Sequence, residues 1–182
     1  MKSCWRITLS DIRPTQNLKW SDRPDYRRYR VPGGTYFFTV NLLERRLDLL
    51  VRHMDHLLEA VRATKQARPF HIDAWVVLPD HMHCVWTLPP EDDDFSNRWK
   101  SIKIRFVQKL PRTERRSRVS VAKGERGIWQ RRFWEHAIRD ETDYVRHVDY
   151  VHCNPVKQGY VQQVIDWPYS VFIANFKMAA TE

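Results

Sequence analysis

Two imidazoles one residue apart, in His81-Met82-His83, and a phenol and an amide four apart, Tyr150 and Asn154, are the side chains of this 182-residue chain best suited to chemistry. Alternate positions of a strand point to one face, and positions i and i+4 of a helix share one stripe, so four side chains can converge from two elements. Paired imidazole nitrogens suit a divalent ion and leave positions open for oxygens. The amide oxygen of Asn154 adds a hard ligand without negative charge that would repel a phosphodiester. Before Pro155 the same residue reads equally well as a helix C-terminal cap. A tyrosine with an unperturbed pKa near ~10 attacks at neutral pH only where an ion or base stabilises its phenolate. A cation held by His81, His83 and Asn154 would polarise a phosphate placed beside Tyr150. The set points to an enzyme that breaks DNA through a covalent tyrosine link, although each member alone reads as structural. His147, one turn before Tyr150, reads as a surface histidine.

Thr35 to Leu42, after the Gly33-Gly34 turn, is rich in β-branched and aromatic residues and predicts a first strand. Met54, Leu57, Leu58 and Val61 recur at helical spacing between His53 and Ala67, and Pro69 closes that helix. Phe70 to Leu78 and His81 to Leu88 flank Pro79-Asp80 as a β-hairpin. Along its second strand His81, His83 and Val85 face one side, while Met82, Cys84 and Trp86 face the other and suit packing under helices. Phe95, Trp99, Ile102 and Phe106 form the apolar stripe of a second helix, with Arg98, Lys100, Lys103, Arg105 and Lys109 outside. Trp129 to Arg139 predicts a fourth strand. Asp140, Glu141 and Asp143 open a third helix, and Pro155 predicts its end at Asn154. On it, Tyr144, Val148 and Val151 fall within about 60° as a buried stripe. His147, Tyr150 and Asn154 flank that stripe, at the edge where the helix meets the sheet. Trp167 to Ser170 should pack back on the domain.

Length and apolar content fit one domain, residues 26–172, preceded by a basic extension at 1–25 and followed by a tail at 173–182. Residues 111–127, with Arg112, Arg115, Arg116 and Arg118 and little to bury, predict a loop that orders on nucleic acid. The net charge of +9 is local: residues 95–139 hold 14 Lys and Arg against 3 acidic residues, leaving 17 against 19 elsewhere. A basic segment on a near-neutral body fits a polyanion partner, because binding releases condensed counterions. Interleaved Trp99, Phe106, Trp129, Phe133 and Trp134 offer either stacking surfaces or core. Three scattered cysteines and no long apolar run suggest a reduced cytoplasmic setting and no membrane partner.

The run from Ala74 through His81-Met82-His83 resembles the histidine-hydrophobe-histidine signature of the HUH single-tyrosine transposases. Asp149 to Gly159 and Trp129 to His136 resemble their domesticated branch, the REP-associated tyrosine transposases, and the similarity spans about Tyr26 to Phe172. The 1–25 extension and the Arg-rich 111–127 segment depart from that pattern. The resemblance implies a ferredoxin-like α/β (α+β) domain, an antiparallel sheet with the histidines central and helices on one face. It implies Tyr150 as the nucleophile forming a 5′-phosphotyrosine, with Mg²⁺ or Mn²⁺ at His81, His83 and Asn154. Its substrate would be single-stranded DNA beside a REP-type hairpin, handled by a monomer in the cytoplasm, at the nucleoid. Arg98, Lys103, Arg112, Arg115, Arg116, Arg131, Arg132 and Lys157 are candidates for DNA contacts. Arg27, Arg28 and Arg30 are candidate readers of unpaired bases. Two other readings stay open: a catalytically inactive hairpin-binding protein, and a metallohydrolase in which His152 or Cys153 joins the histidine pair to activate water.

Overall fold

Alternating large apolar residues in three segments, with a shorter fourth, build an antiparallel sheet. In this computed structural model, residues 28–45, 48–112, 124 and 126–170 are described. The strands are β1 (Thr35–Asn41), β2 (His71–Val77), β3 (His81–Thr87) and β4 (Trp134–Ala137). Their spatial order is β2-β3-β1-β4, so β3 and β1 lie at the centre. Register places Asn41 opposite His81 and Thr39 opposite His83. The helices are the single turn α1 (Leu49–Arg52), then α2 (Met54–Ala67), α3 (Phe95–Lys109) and α4 (Glu141–Lys157). The α+β class, the central histidine strand and the element order match expectation, with α1 added. The 1–25 extension, the tail at 173–182 and most of the 111–127 segment lie outside the described residues. Among the described residues, no helix is long and apolar enough to cross a membrane.

The two sheet faces bury different things. Tyr36, Phe38 and Val40 of β1 join Met82, Cys84 and Trp86 of β3 beneath α2 and α3, but α4 packs on the other face, so helices cover both faces of the sheet and not one as the sequence predicts. Trp86 and Trp99 stack with centroids 4.2 Å apart, and Phe38, Phe95 and Phe133 pack around them. Each such buried side chain contributes roughly 1.5–3 kcal/mol of transfer free energy. The opposite face carries Phe37, Val76 and Val85, and there the tyrosine helix α4 lies across β2 and β3 with Tyr150 and Val151 buried.

Two boundaries and the buried face of one helix differ from the sequence reading. The fourth strand pairs only over Trp134–Ala137, because Trp129 forms an isolated bridge to Leu42 and the chain turns out of register through Arg131 and Arg132. Helix α4 does not stop at Asn154 but continues through Pro155 to Lys157. Proline removes one N–H from the ladder, yet the flanking turn is held by Gln158 N–H to Asn154 O at 3.0 Å and Tyr160 N–H to Pro155 O at 3.0 Å. The buried stripe of α4 is also rotated: His147, Tyr150, Val151, Asn154 and Pro155 are buried, and Tyr144 and Val148 only partly. Tyr150 and Asn154 thus face the sheet instead of flanking the contact.

Capping fixes where α4 starts. Asp140 Oδ1 accepts from Asp143 N–H at 2.9 Å, and acidic Glu141 and Asp143 in the first turn complement the helix dipole. Trp167 to Ser170 packs back as expected: Trp167 donates its indole N–H to Val77 O at 2.9 Å, and Val77 N–H reaches Tyr169 O at 2.8 Å.

Candidate active site

His81 and His83 both lie at the centre of the sheet, 3 % and 2 % exposed, with rings 5.0 Å apart and nearly perpendicular. Each is fixed through Nδ1. His81 Nδ1 is 2.6 Å from Asp80 Oδ1, and Arg45 Nε donates to the other carboxylate oxygen at 2.7 Å. His83 Nδ1 is 2.9 Å from Thr39 Oγ1, its cross-strand partner. Anchoring Nδ1 leaves Nε2 as the outward ligating atom, the usual arrangement for a metal-binding imidazole with a carboxylate or hydroxyl behind it. The Nε2 of His83 is buried without a hydrogen-bond partner among the described residues. Burial lowers both histidines below their ordinary range, more strongly at His83, and at His81 it outweighs the opposing pull of Asp80. Both imidazoles are therefore held in the neutral form that binds a cation. Burial alone would raise the Asp80 carboxyl, but the bonds from His81 and Arg45 outweigh it and the group sits low.

Tyr150 is 3 % exposed, and its ring meets His83 edge-on at 5.1 Å, with Phe37 as the floor beneath both. Asn154, one turn on and 2 % exposed, presents Oδ1 to the same region, where Gln158 Nε2 donates to it at 3.1 Å. Gln158 Nε2 also lies 3.3 Å from His81 Nε2, which ties the end of α4 to the histidine strand. Imidazoles and a carboxamide oxygen suit a divalent cation bound by nitrogen and hard oxygen. The orphaned His83 nitrogen supports that fit.

His147 is not a surface residue; it is 1 % exposed, because α4 turns it toward Phe37, whose ring is 4.9 Å away. Its Nδ1 is 2.7 Å from Asp143 O, and its ring stacks on His136 at 4.7 Å. Asp143 Oδ2 in turn accepts from Arg139 N–H at 3.1 Å and lies 2.8 Å from His136 Nε2. His136, Asp143 and His147 form a second group whose ligating atoms fall within 4.8 Å of one another. Its carboxylate is already engaged, which makes it a clamp between β4 and the first turn of α4.

The candidate DNA-contacting residues are scattered. Arg98 does not face outward. It is 2 % exposed, because its guanidinium donates to Asp92 at 2.7 and 3.0 Å and to the carbonyls of Arg68, Pro69 and Asp94. It joins the end of α2 to the start of α3 and is unavailable to a phosphate. Lys103 is half-buried, donating to Gln130 O at 2.9 Å above the rings of Trp129 and Phe133. Burial, with Arg28 nearby, lowers its ammonium to about 8. Arg28 lies 4.1 Å over Phe133 and reaches Ser96, while Arg30 pairs with Asp93 at 2.9 Å. Arg112, Arg131, Arg132 and Lys157 are exposed, and Lys157 Nζ stands 5.4 Å over the Tyr150 ring. Arg27, Arg115 and Arg116 lie outside the described residues. The sequence alone gives Asp80, Thr39, Arg45 and Gln158 no role at the site. Thr39 becomes visible only with strand register, whereas Gln158 continues the spacing Tyr150, Asn154, Gln158 along one helical stripe.

No family model matches the chain. It is 54 % identical over 148 residues to the REP-associated tyrosine transposase of Escherichia coli K12, covering 81 % of this chain and 82 % of that protein. A Haemophilus influenzae protein described as "Putative REP-associated tyrosine transposase" is 43 % identical, over 84 % of this chain and 88 % of its own. A solved structure, a REP-associated tyrosine transposase bound to a REP hairpin, superposes with a TM-score of 0.72 at 52 % identity, covering 85 % of this chain and 86 % of the other. By sequence and by fold, this chain belongs to the REP-associated tyrosine transposases.

Proposed function

We propose that the chain is a metal-dependent single-stranded DNA endonuclease and strand transferase that acts beside REP-type hairpins through a covalent 5′-phosphotyrosine intermediate. The observation that carries this reading is the edge-on contact of Tyr150 with His83, 5.1 Å between ring centres, beside an orphaned imidazole nitrogen. The hairpin in the related complex supports the substrate class.

His81, His83 and Asn154 would hold Mg²⁺ or Mn²⁺, which when bound supplies charge neutralisation at the scissile phosphate. The remaining chemistry belongs to the chain. Asp80 and Thr39 hold the two imidazoles in one orientation, so the site needs little reorganisation. Phe37 and the burial of Tyr150 exclude bulk water, which favours transfer to the tyrosine over hydrolysis. The Tyr150 Oη forms a bond to phosphorus as the P–O3′ bond breaks; the phenolic proton leaves, and the departing O3′ takes up a proton as a 3′-hydroxyl. Attack by a 3′-hydroxyl on the phosphotyrosine reverses the bookkeeping, so rejoining is nearly isoenergetic and needs no nucleotide. Lys157, exposed above the Tyr150 ring, is placed to meet an incoming phosphate. Arg28, Arg30, Arg112, Arg131 and Arg132, with Arg27, Arg115 and Arg116, would position the DNA backbone or read unpaired bases. The protein would act as a monomer in the cytoplasm.

Labelled single-stranded hairpin DNA incubated with protein and Mn²⁺ tests this. The expected result is a covalent adduct that survives denaturation and disappears in Tyr150→Phe. Binding without cleavage would identify an idle hairpin-binding protein, and metal-dependent hydrolysis persisting in Tyr150→Phe would identify a water-activating metalloenzyme.

A further inference from the structure

One side chain touches two of the three assigned ligands without having been assigned a role. Gln158 Nε2 is 3.1 Å from Asn154 Oδ1 and 3.3 Å from His81 Nε2. We infer that Gln158 is a fourth side-chain member of the cation site, contributing its amide oxygen when an ion is bound. The inference rests on the metal reading of His81, His83 and Asn154.

The spacing fits a ligand. Two donors at right angles around an ion with bonds of ~2.1 Å stand roughly 3.0 Å apart. The amide of Gln158 keeps about that distance from both neighbours, as a third corner of the same face would. The amide N–H group now points at the lone pairs of an imidazole nitrogen and a carboxamide oxygen, the same electron pairs a cation takes. A carboxamide has its oxygen and nitrogen in nearly equivalent positions, so a half-turn about its last side-chain bond exchanges donor for acceptor. No backbone movement is needed. The backbone there is fixed independently, by Gln158 N–H donating to Asn154 O at 3.0 Å where α4 ends. Residues 150, 154 and 158 then form one stripe in which nucleophile and two oxygen ligands follow at successive turns, which requires the helix to run through Pro155 as it does.

The test is Mn²⁺ binding to the full-length, DNA-free protein, read from the free-ion electron paramagnetic resonance signal, so that no catalytic turnover enters. Wild type, His83→Ala, Gln158→Ala and Gln158→Glu are compared, with thermal melting as the folding control. Gln158→Ala should weaken binding about 10- to 100-fold. Gln158→Glu should bind at least as tightly as wild type, since its carboxylate offers oxygen alone. Affinity in Gln158→Ala equal to or tighter than wild type would overturn the inference and make the amide a bystander or a competing plug. Should Gln158→Ala fail to fold, weaker binding in Gln158→Glu than in wild type overturns it instead. If wild type itself binds no better than His83→Ala, the underlying metal reading fails and this inference with it.

Discussion

The two faces of the sheet are made by the same strands and differ by one step of the side-chain alternation. On the face under α2 and α3, the sheet and helix α3 bury indole nitrogens without partners among the described residues, those of Trp75, Trp86 and Trp99. An indole N–H is a donor only and cannot ligate a cation. On the face under α4, the unpartnered buried atoms among the described residues include two imidazole nitrogens, those of His83 and His147. Those two have lone pairs to offer when neutral, and His83 stands against the tyrosine. One face is organised around packing area, the other around atoms whose partner is still to come. The lesson is that burial alone does not mark a site; the chemical type of the unsatisfied atom does.

Removing one residue from each face separates the two roles most sharply. His83→Ala should reduce adduct formation below detection while hairpin affinity changes little, because phosphate contacts elsewhere dominate binding. Trp99→Ala, on the other face, should cost about 3–5 kcal/mol of stability by opening a cavity in the aromatic cluster. Denaturant titration alongside the cleavage assay reads both quantities. A His83→Ala protein that loses affinity as steeply as cleavage would break the comparison. So would a Trp99→Ala protein that melts normally yet cannot cleave.

A smaller effect tests how the histidine face is held. Asp80→Asn keeps an acceptor near His81 Nδ1 but removes the charge that pairs with Arg45. The expected loss of Mn²⁺ affinity is about 10-fold, the low end of the range for groups behind a ligand. A Mn²⁺ titration identical to wild type would show that the pair of anchors is packing and nothing more.

Much of this was legible in the sequence, for reasons that differ by element. The strand alternation in His81 to Thr87 assigned each side chain to its face correctly, because period two leaves no freedom once a strand exists. Tyr150 and Asn154 were placed together by helical spacing. Apolarity alone does not set the stripe: Val151 is buried and Tyr144 and Val148 partly so, but α4 turns so that His147, Tyr150 and Asn154 share the buried face. Ending the helix at Asn154 hid Gln158 from the same spacing argument. Arg98 looked like a solvent-facing cation because Asp92, six residues earlier, folds back on it only through the loop ahead of α3. Thr39 depends on strand register, a non-local fact that no local pattern contains.

The smallest predicted effect belongs to Lys103, which the sequence assigned to DNA and the fold gives to the aromatic side. Burial first, and Arg28 second, lower its ammonium from the ordinary lysine value to about 8. The folded protein therefore binds fewer protons than the unfolded chain between about pH 8 and ~10.5, and stability rises with pH across that window. Below pH 8 the whole penalty of a desolvated charge is present; above ~10.5 it is gone. Lys103→Met has no such group, so its stability relative to wild type should be greatest near pH 7 and should fall by roughly 1–2 kcal/mol by pH 10. That figure is below the full shift because the side chain is only half-buried and solvent screens part of the penalty. Denaturant midpoints of the two proteins at pH 7, 8.5 and 10 measure the difference directly, and other titrating groups cancel in it. Parallel pH profiles would place the ammonium in water, available to a phosphate. In that case the salt dependence of hairpin binding should also flatten in Lys103→Met, and the division between a packing face and a chemical face would no longer hold at its basic margin.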